Sequence, residues 1–275
     1  RYTGAELRYL ELDDDYVIDT SDIERIIDRS VKVVAFSGMS NVTGAIGPIA
    51  TIVERAGQVG AITVLDAAQL VPHARVEVEA LGVDFMAFSA HKMLGPTGVG
   101  ALWGTKQRLE ELEPLEGGGE MISIVERFES TWAPVPHRFE AGTPPIAEAI
   151  GFGAAVDYLT EVGMDAIVDH ERELTGYALE RLGAIPDLTI HGPKDLAKRG
   201  GAVSFSLGDI HPHDIATIVD QDGVALRAGH HCARPLMQYL EVPATARASF
   251  YLYNTKDEID VLAEALMKAR TLFGL

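Results

Sequence analysis

Short apolar runs alternate with amphipathic stretches along most of this chain. Val31 to Phe36 is an apolar run that ends in Ser37-Gly38-Met39-Ser40-Asn41. Pro48 then stands at the favoured first position of a helix reaching about Gln58. A second apolar run ends in Asp66, and after a crossover a third, Asp84 to Ser89, delivers Ser89-Ala90-His91-Lys92. The turn cluster Gly95-Pro96-Thr97-Gly98 follows, and then the apolar run Val99 to Trp103. Strands and helices alternating at this spacing predict a mainly parallel sheet covered on both faces.

The pattern continues less regularly on either side. Leu7, Tyr9, Leu10 and Leu12 predict a strand within residues 1–12, and Thr20 or Ser21 is expected to cap a short helix with Glu24 in its first turn. After the run to Trp103, a charged helix is expected over Lys106–Leu112. Two turn clusters follow, Gly117-Gly118-Gly119 and Phe139 to Pro145. Long helices are predicted from Ile146 to about Glu161 and from Met164 to about Leu182. Beyond them the chain reads as strands at Leu188–His191, Ala202–Leu207, Ala225–Arg227 and Ala246–Tyr253. These interleave with helices at Pro212–Asp220, Pro235–Leu240 and Lys256–Phe273, the last capped by Thr255. We expect an α/β architecture: a large domain over residues 1–157 and a small α+β domain over 158–275, divided at a helix crossing rather than a linker.

Composition narrows the partners. At 275 residues and 47% hydrophobic, the chain can bury a large core. A net charge of −18 argues against wrapping nucleic acid or docking on anionic lipid. Only seven of the 23 basic residues are lysine, and acids cluster at Asp13-Asp14-Asp15, Glu110-Glu111-Glu113 and Asp257-Glu258-Asp260. A solvated acidic face and adaptation to high salt both account for this, and loss of structure on desalting would mark the second. No apolar run has the length of a membrane span and no basic-then-apolar leader opens the sequence, so a cytoplasmic protein is expected. Arg1 rather than Met stands first, from which we expect residues upstream of it. A single cysteine, Cys232, excludes an internal disulfide.

Two stretches carry chemistry. Asp66 and Lys92 sit at the carboxyl ends of neighbouring apolar strands, the edge where open α/β sheets bind ligands. A lysine there can form a Schiff base with a carbonyl cofactor while a carboxylate pairs with a pyridinium nitrogen, as pyridoxal phosphate requires. Gln69, Ser89 and His91 in the same unit strengthen that reading over an ordinary surface lysine. The second stretch, Arg227-Ala228-Gly229-His230-His231-Cys232-Ala233-Arg234-Pro235, sets a thiol among two histidines and two further guanidinium groups. Positive neighbours make a thiol nucleophilic. A metal site drawing on His211 and His213, or a turn with solvated histidines, are the competing readings, and the lack of a second thiol counts against zinc. Arg247, a charge within an apolar run, fits a fork for a substrate carboxylate. Lysine, carboxylate, thiol and arginine together suit an amino-acid substrate attacked at a heteroatom on its β-carbon.

The chain resembles the SufS-like (group II) cysteine desulfurases of the class V aminotransferase family of fold-type I pyridoxal phosphate enzymes. The resemblance rests on Asp66-Ala67-Ala68-Gln69, Phe88 to Gly98, Ala141 to Pro144, Arg227 to Ala233 and Arg247 to Asn254. It implies that Lys92 carries pyridoxal 5′-phosphate and moves the α-proton, that Asp66 pairs with the ring nitrogen, and that Gln69 bonds the ring oxygen. Ser89 and His91 would bind the phosphate, and Thr143 would reach the phosphate of the other subunit of a homodimer. Asn41 and Arg247 would hold the carboxylate of L-cysteine, Arg227 would orient the loop, and Cys232 would take the sulfur as a persulfide, releasing L-alanine. A sulfur-acceptor protein (SufE- or SufU-like) is the implied partner in iron–sulfur cluster assembly, with His213 a contact for an acceptor's zinc. Members of this family carry a further N-terminal portion with a phosphate loop and a ring-stacking histidine that residues 1–40 do not replace, so exposed apolar surface is expected where it would pack. Selenocysteine lyase, and a fragment serving only dimerisation or docking, are the alternative readings.

Overall fold

In the computed structural model, residues 3–275 are described; Arg1 and Tyr2, where the predicted first strand begins, lie outside the described residues. Helix α1 (Ile23–Ile26) precedes strand β1 (Val33–Ser37), helix α2 (Ile49–Val59) and strand β2 (Ile62–Asp66). Helix α2 turns Ile52 and Ala56 into the core and ends at Gly60, whose left-handed backbone (φ 74°) lets its N–H reach back to Ala56 O. Short helices α3 (Leu70–His73) and α4 (Val78–Leu81) cross over to strand β3 (Phe85–Ser89), and strand β4 (Gly100–Gly104) returns beside it. The sheet order is β1-β2-β3-β4, with the first two pairings parallel and β3–β4 antiparallel. All three parallel strands therefore end on one edge, which is where Ser37, Asp66 and Ser89 stand.

Helix α5 (Lys106–Glu111) leads to a hairpin of β5 (Ile122–Val125) and β6 (Ser130–Trp132), then to the long helices α6 (Ile146–Val162) and α7 (Met164–Gly183). Gly163 (φ 89°) both ends α6 and starts α7. Strands β7 (Leu188–His191) and β8 (Ala202–Leu207), helix α8 (Pro212–Asp220), strand β9 (Arg227–Gly229), helix α9 (Arg234–Tyr239), strand β10 (Thr245–Ser249) and helix α10 (Lys256–Leu272) complete the chain. Their sheet, β7-β8-β10-β9, is antiparallel throughout.

The two faces of this second sheet differ because strand side chains alternate. Val203, Phe205 and Leu207 of β8 and Ala246 and Ala248 of β10 form one core with Leu174, Ile215, Ile259 and Leu266 of the helices. The opposite face carries Ser204, Arg247 and Arg227, which are register partners across β8, β10 and β9. That face receives the loop after β1: Ser204 Oγ donates to Val42 O at 2.6 Å. Gly44 (φ 72°) is needed in this loop, since a Cβ there would meet Ala202 O at 2.7 Å.

Four expectations change. Residues 3–12 form no strand; only Leu12 bridges to Ile18, because Asp13 Oδ1 accepts the N–H groups of Asp15 and Val17 and reverses the chain. Neither Thr20 nor Ser21 caps α1; Asp22 occupies the cap position, and Ser21 gives its N–H and O–H to Asp19. The strand expected to run to Tyr253 stops at Ser249, where Phe250 N–H turns to Gly201 O and Tyr251 N–H to Asn254 Oδ1. The strand placed at Ala225–Arg227 shifts to Arg227–Gly229, where the partner β10 lies. The β5–β6 hairpin, for which no element was expected, pairs Ile122 with Trp132 and Val125 with Ser130.

Candidate active site

The carboxyl edge of the first sheet presents Lys92. A single 3₁₀ turn, Ala90–Lys92, follows β3, its start fixed by the fully buried Ala90, whose N–H donates to Val99 O and whose carbonyl accepts from Gly95. Lys92 is half-buried and forms no ion pair among the described residues. With Gln69, His91, Met39 and Ser40 it lines a cavity whose far wall is Phe250 and Tyr251, just past β10. Asp66, one strand over, accepts Ala68 N–H through Oδ1 at 2.9 Å and otherwise faces solvent. A lysine without a counterion, beside a carboxylate, an amide and a histidine on one sheet edge, fits a pyridoxal phosphate group: an amine for the aldehyde, an anion for the ring nitrogen, and polar contacts for the phosphate.

The second sheet closes the other side with positive charge. Arg247 Nη1 donates to Asn41 O at 2.6 Å and its Nε to Ser249 Oγ at 3.0 Å. Burial, and after it the charge of neighbouring Arg227, hold the Arg247 guanidinium below its ordinary pKa. Neither arginine has a carboxylate partner among the described residues. Two adjacent guanidinium groups without a counterion make a receptor for an anion.

The thiol loop hangs from the same residues. His231 and Cys232 are consecutive non-glycine residues in the left-handed region, at φ 53° and 62°. Asn41 Nδ2 donates to His231 O at 2.6 Å. The buried His231 ring places Nε2 2.9 Å from Thr245 Oγ1 and 3.1 Å from Thr245 O, while its Nδ1 has no partner. Burial, followed by the positive charge of Arg247, lowers the His231 pKa to about 4, so the ring is neutral. Cys232 and His230 are exposed. His211 and His213 lie at the start of α8 with ring centres 5.2 Å apart.

The structure thus gathers Lys92, Gln69 and His91 in one cavity, sets Asp66 and Ser89 on the strand ends beside it, and ties Asn41, Arg247 and the Cys232 loop together. Thr143 is apart, exposed in the loop before α6. That helix is apolar nearly all round, with Ile146, Ile150 and Tyr158 exposed. Sequence reasoning missed one pair: His73 Nδ1, at the cavity wall, donates to both oxygens of Glu171 at 2.9 and 3.0 Å. Glu171 is buried, and that burial pushes its carboxyl pKa up against the opposing pull of His73. The signal was present, because Glu171 interrupts the apolar stripe Ile167, Leu174, Ala178 of α7.

An α/β chain with a lysine-bearing turn at the carboxyl edge and arginines facing it from an antiparallel sheet defines a class. The family model for class V aminotransferases matches residues 1–262, and the chain belongs to that family. It is 53% identical over 272 residues to a probable cysteine desulfurase of Streptomyces coelicolor, covering 99% of this chain and 65% of that protein. A probable cysteine desulfurase of Halalkalibacterium halodurans is also 53% identical, with 66% of its length covered. The chain therefore spans about two-thirds of the length of these relatives. Among solved structures, the cysteine desulfurase CsdA of Escherichia coli superposes with a TM-score of 0.91 at 35% identity, covering 96% of this chain and 65% of that one. An apo cysteine desulfurase of Thermococcus onnurineus superposes at 0.93 and 37% identity, covering 99% and 67%. The fold is that of the fold-type I pyridoxal phosphate enzymes.

Proposed function

We propose that this chain is part of a pyridoxal phosphate-dependent cysteine desulfurase, converting L-cysteine to L-alanine and leaving sulfur as a persulfide on Cys232. The observation that carries the reading is that Asn41, next in sequence to the cavity-lining Ser40, bonds both Arg247 and the carbonyl of His231, beside the chain's only cysteine. Lys92 would hold the cofactor, with Asp66 at the ring nitrogen, Gln69 at the ring oxygen, and Ser89 and His91 at the phosphate. The cofactor supplies an electron sink next to the substrate's amine-bearing carbon. Lys92 Nζ, uncommitted to any ion pair, takes and returns the proton at that carbon. Arg247, with Arg227 beside it, binds the carboxylate by a charge-assisted fork and so orients the β-substituent toward Cys232. The Cys232 thiolate attacks the substrate sulfur; an S–S bond forms as the C–S bond breaks, and the β-carbon gains a proton to give alanine.

The division into a large unit (1–157) and a small unit (158–275) belongs to this reading. So does a homodimer: the exposed apolar face of α6, with Thr143 at its start, suits contact with a second subunit whose phosphate Thr143 would reach. Delivery to an acceptor protein for iron–sulfur cluster assembly, with exposed His213 a point of contact, completes it. The test is intact mass and peptide mapping after incubation with pyridoxal phosphate and L-cysteine. A sulfur adduct on Cys232, absent in Lys92→Ala and Cys232→Ala, supports the activity. No adduct either in this chain or in one extended to the full length of its relatives overturns it.

A further inference from the structure

Asn41 is committed twice. Its side-chain amide holds the carbonyl of His231, and its own carbonyl holds Arg247 Nη1, both at 2.6 Å. On the far side of His231 the chain enters two successive left-handed residues, His231 and Cys232, a conformation that costs on the order of 1 kcal/mol or more per non-glycine residue. The loop keeps this backbone because His231 is held at two points: its carbonyl by Asn41 and its buried ring by Thr245. The Ala233 N–H to His230 O bond closes the turn locally. Among the described residues the Asn41 bond is the only side-chain hydrogen bond to the backbone of residues 229–233.

We propose that Asn41 is a latch on which the substrate carboxylate and the thiol loop compete, so that binding of the carboxylate frees the Cys232 loop. This rests on the substrate-binding reading above. The unpaired guanidinium groups of Arg247 and Arg227 draw an anion to the face of β10 that Asn41 covers. A carboxylate oxygen is a stronger acceptor for Asn41 Nδ2 than the neutral His231 carbonyl, because its hydrogen bond is charge-assisted. Taking that amide leaves His231 O unpaired and removes one of the two restraints on the loop, so that the left-handed pair relaxes toward solvent while the His231 ring stays on Thr245. The thiol is thus held in a strained, defined position until a carboxylate arrives and is mobile afterwards, which suits a sulfur that has next to leave on a carrier. By linkage, a change that loosens the loop while leaving Asn41 and Arg247 in place also strengthens carboxylate binding.

Amide hydrogen exchange of residues 229–233, read by mass spectrometry on the cofactor-loaded protein, tests this without turnover. L-alanine, which carries the carboxylate but no sulfur, is the probe, and L-alaninamide, which lacks the carboxylate, is the control. Asn41→Ala, and the nearly isosteric Asn41→Asp that turns an acceptor toward His231 O, should each raise exchange in 229–233 about tenfold while β8 keeps its protection. L-alanine should do the same in the native chain and add nothing in either variant, and L-alaninamide should be without effect. Native exchange in both variants, or L-alanine leaving the loop unchanged or more protected, overturns the latch. If the loop opens as stated but no sulfur adduct ever forms on Cys232, the latch stands and the desulfurase reading fails.

Discussion

The Lys92 turn and the Cys232 loop, one on the edge of the first sheet and the other tied to the second through Asn41 and Arg247, are built in opposite ways. The first is local. Ala90, Gly95 and Val99 close a turn with backbone hydrogen bonds, and Lys92 projects from it without an ion pair. The second is held from afar: Asn41 grips His231 across 190 residues of sequence, and Arg247 grips Asn41 across 206. Its backbone is strained where the turn's is not, apart from Leu94 (φ 61°) at the turn's end. On the proposed reading, the residue that would hold the cofactor stands on a turn closed locally by backbone, while the residue that would hand on the sulfur stands on a loop held by bonds from distant segments.

The sharpest way to break this comparison is Lys92→Ala. Because the turn is closed by backbone, thermal unfolding should move by no more than about a degree or two. Sulfur loading of Cys232, measured by intact mass, should fall at least ~1,000-fold. A large stability loss would show that the lysine is part of the scaffold after all.

Glu171→Ala tests what holds the two faces at a fixed distance, since His73 lies on α3 and Glu171 on α7. It strands the His73 Nδ1–H group and should cost about 2–4 kcal/mol in urea denaturation. Glu171→Gln, which keeps an acceptor, should cost about half as much. Arg247→Ala should raise the KM for L-cysteine roughly 30-fold, the worth of a charge-assisted hydrogen bond, and also speed hydrogen exchange in residues 229–233. Arg247→Lys should recover little of either, lacking the fork. A KM effect with no change in the loop would separate the two regions that the structure joins.

The smallest effect is with pH. His231 has a folded pKa of about 4 against an ordinary value near 6.5, so the fold favours the neutral ring. Its contribution is fully present above about pH 6.5 and is lost as pH falls toward 4, amounting to about 1 kcal/mol by pH 5.5. Urea midpoints of the native chain and of His231→Gln should therefore converge as pH drops from 7 to 5. Parallel curves would mean the ring is not held neutral by burial.

Much of this was legible in one dimension. The strands ending in Asp66 and Ser89, the turn carrying Lys92 and the helix after Pro48 follow from apolar runs, glycines and proline, whose effects act within a few residues. The family motifs, being contiguous, were legible for the same reason. The failures lie where a partner strand or a competing side chain decides: Asp13 ends the first predicted strand, Gly201 O ends the last, and β9 settles where β10 can pair with it. His73 and Glu171 lie 98 residues apart, and no local pattern joins them.

By itself the sequence determined which chemical groups this protein owns and which of them sit at strand ends, because side-chain type and hydrophobic period are properties of neighbours along the chain. Only the tertiary structure decided that Asn41 would be shared between Arg247 and His231, that Arg247 would lie on the face of β10 turned away from the core, and that Glu171 would be buried against His73. Those are contacts between distant segments. They exist because two sheets with different faces pack one loop between them, and that packing is set by the burial of both cores at once.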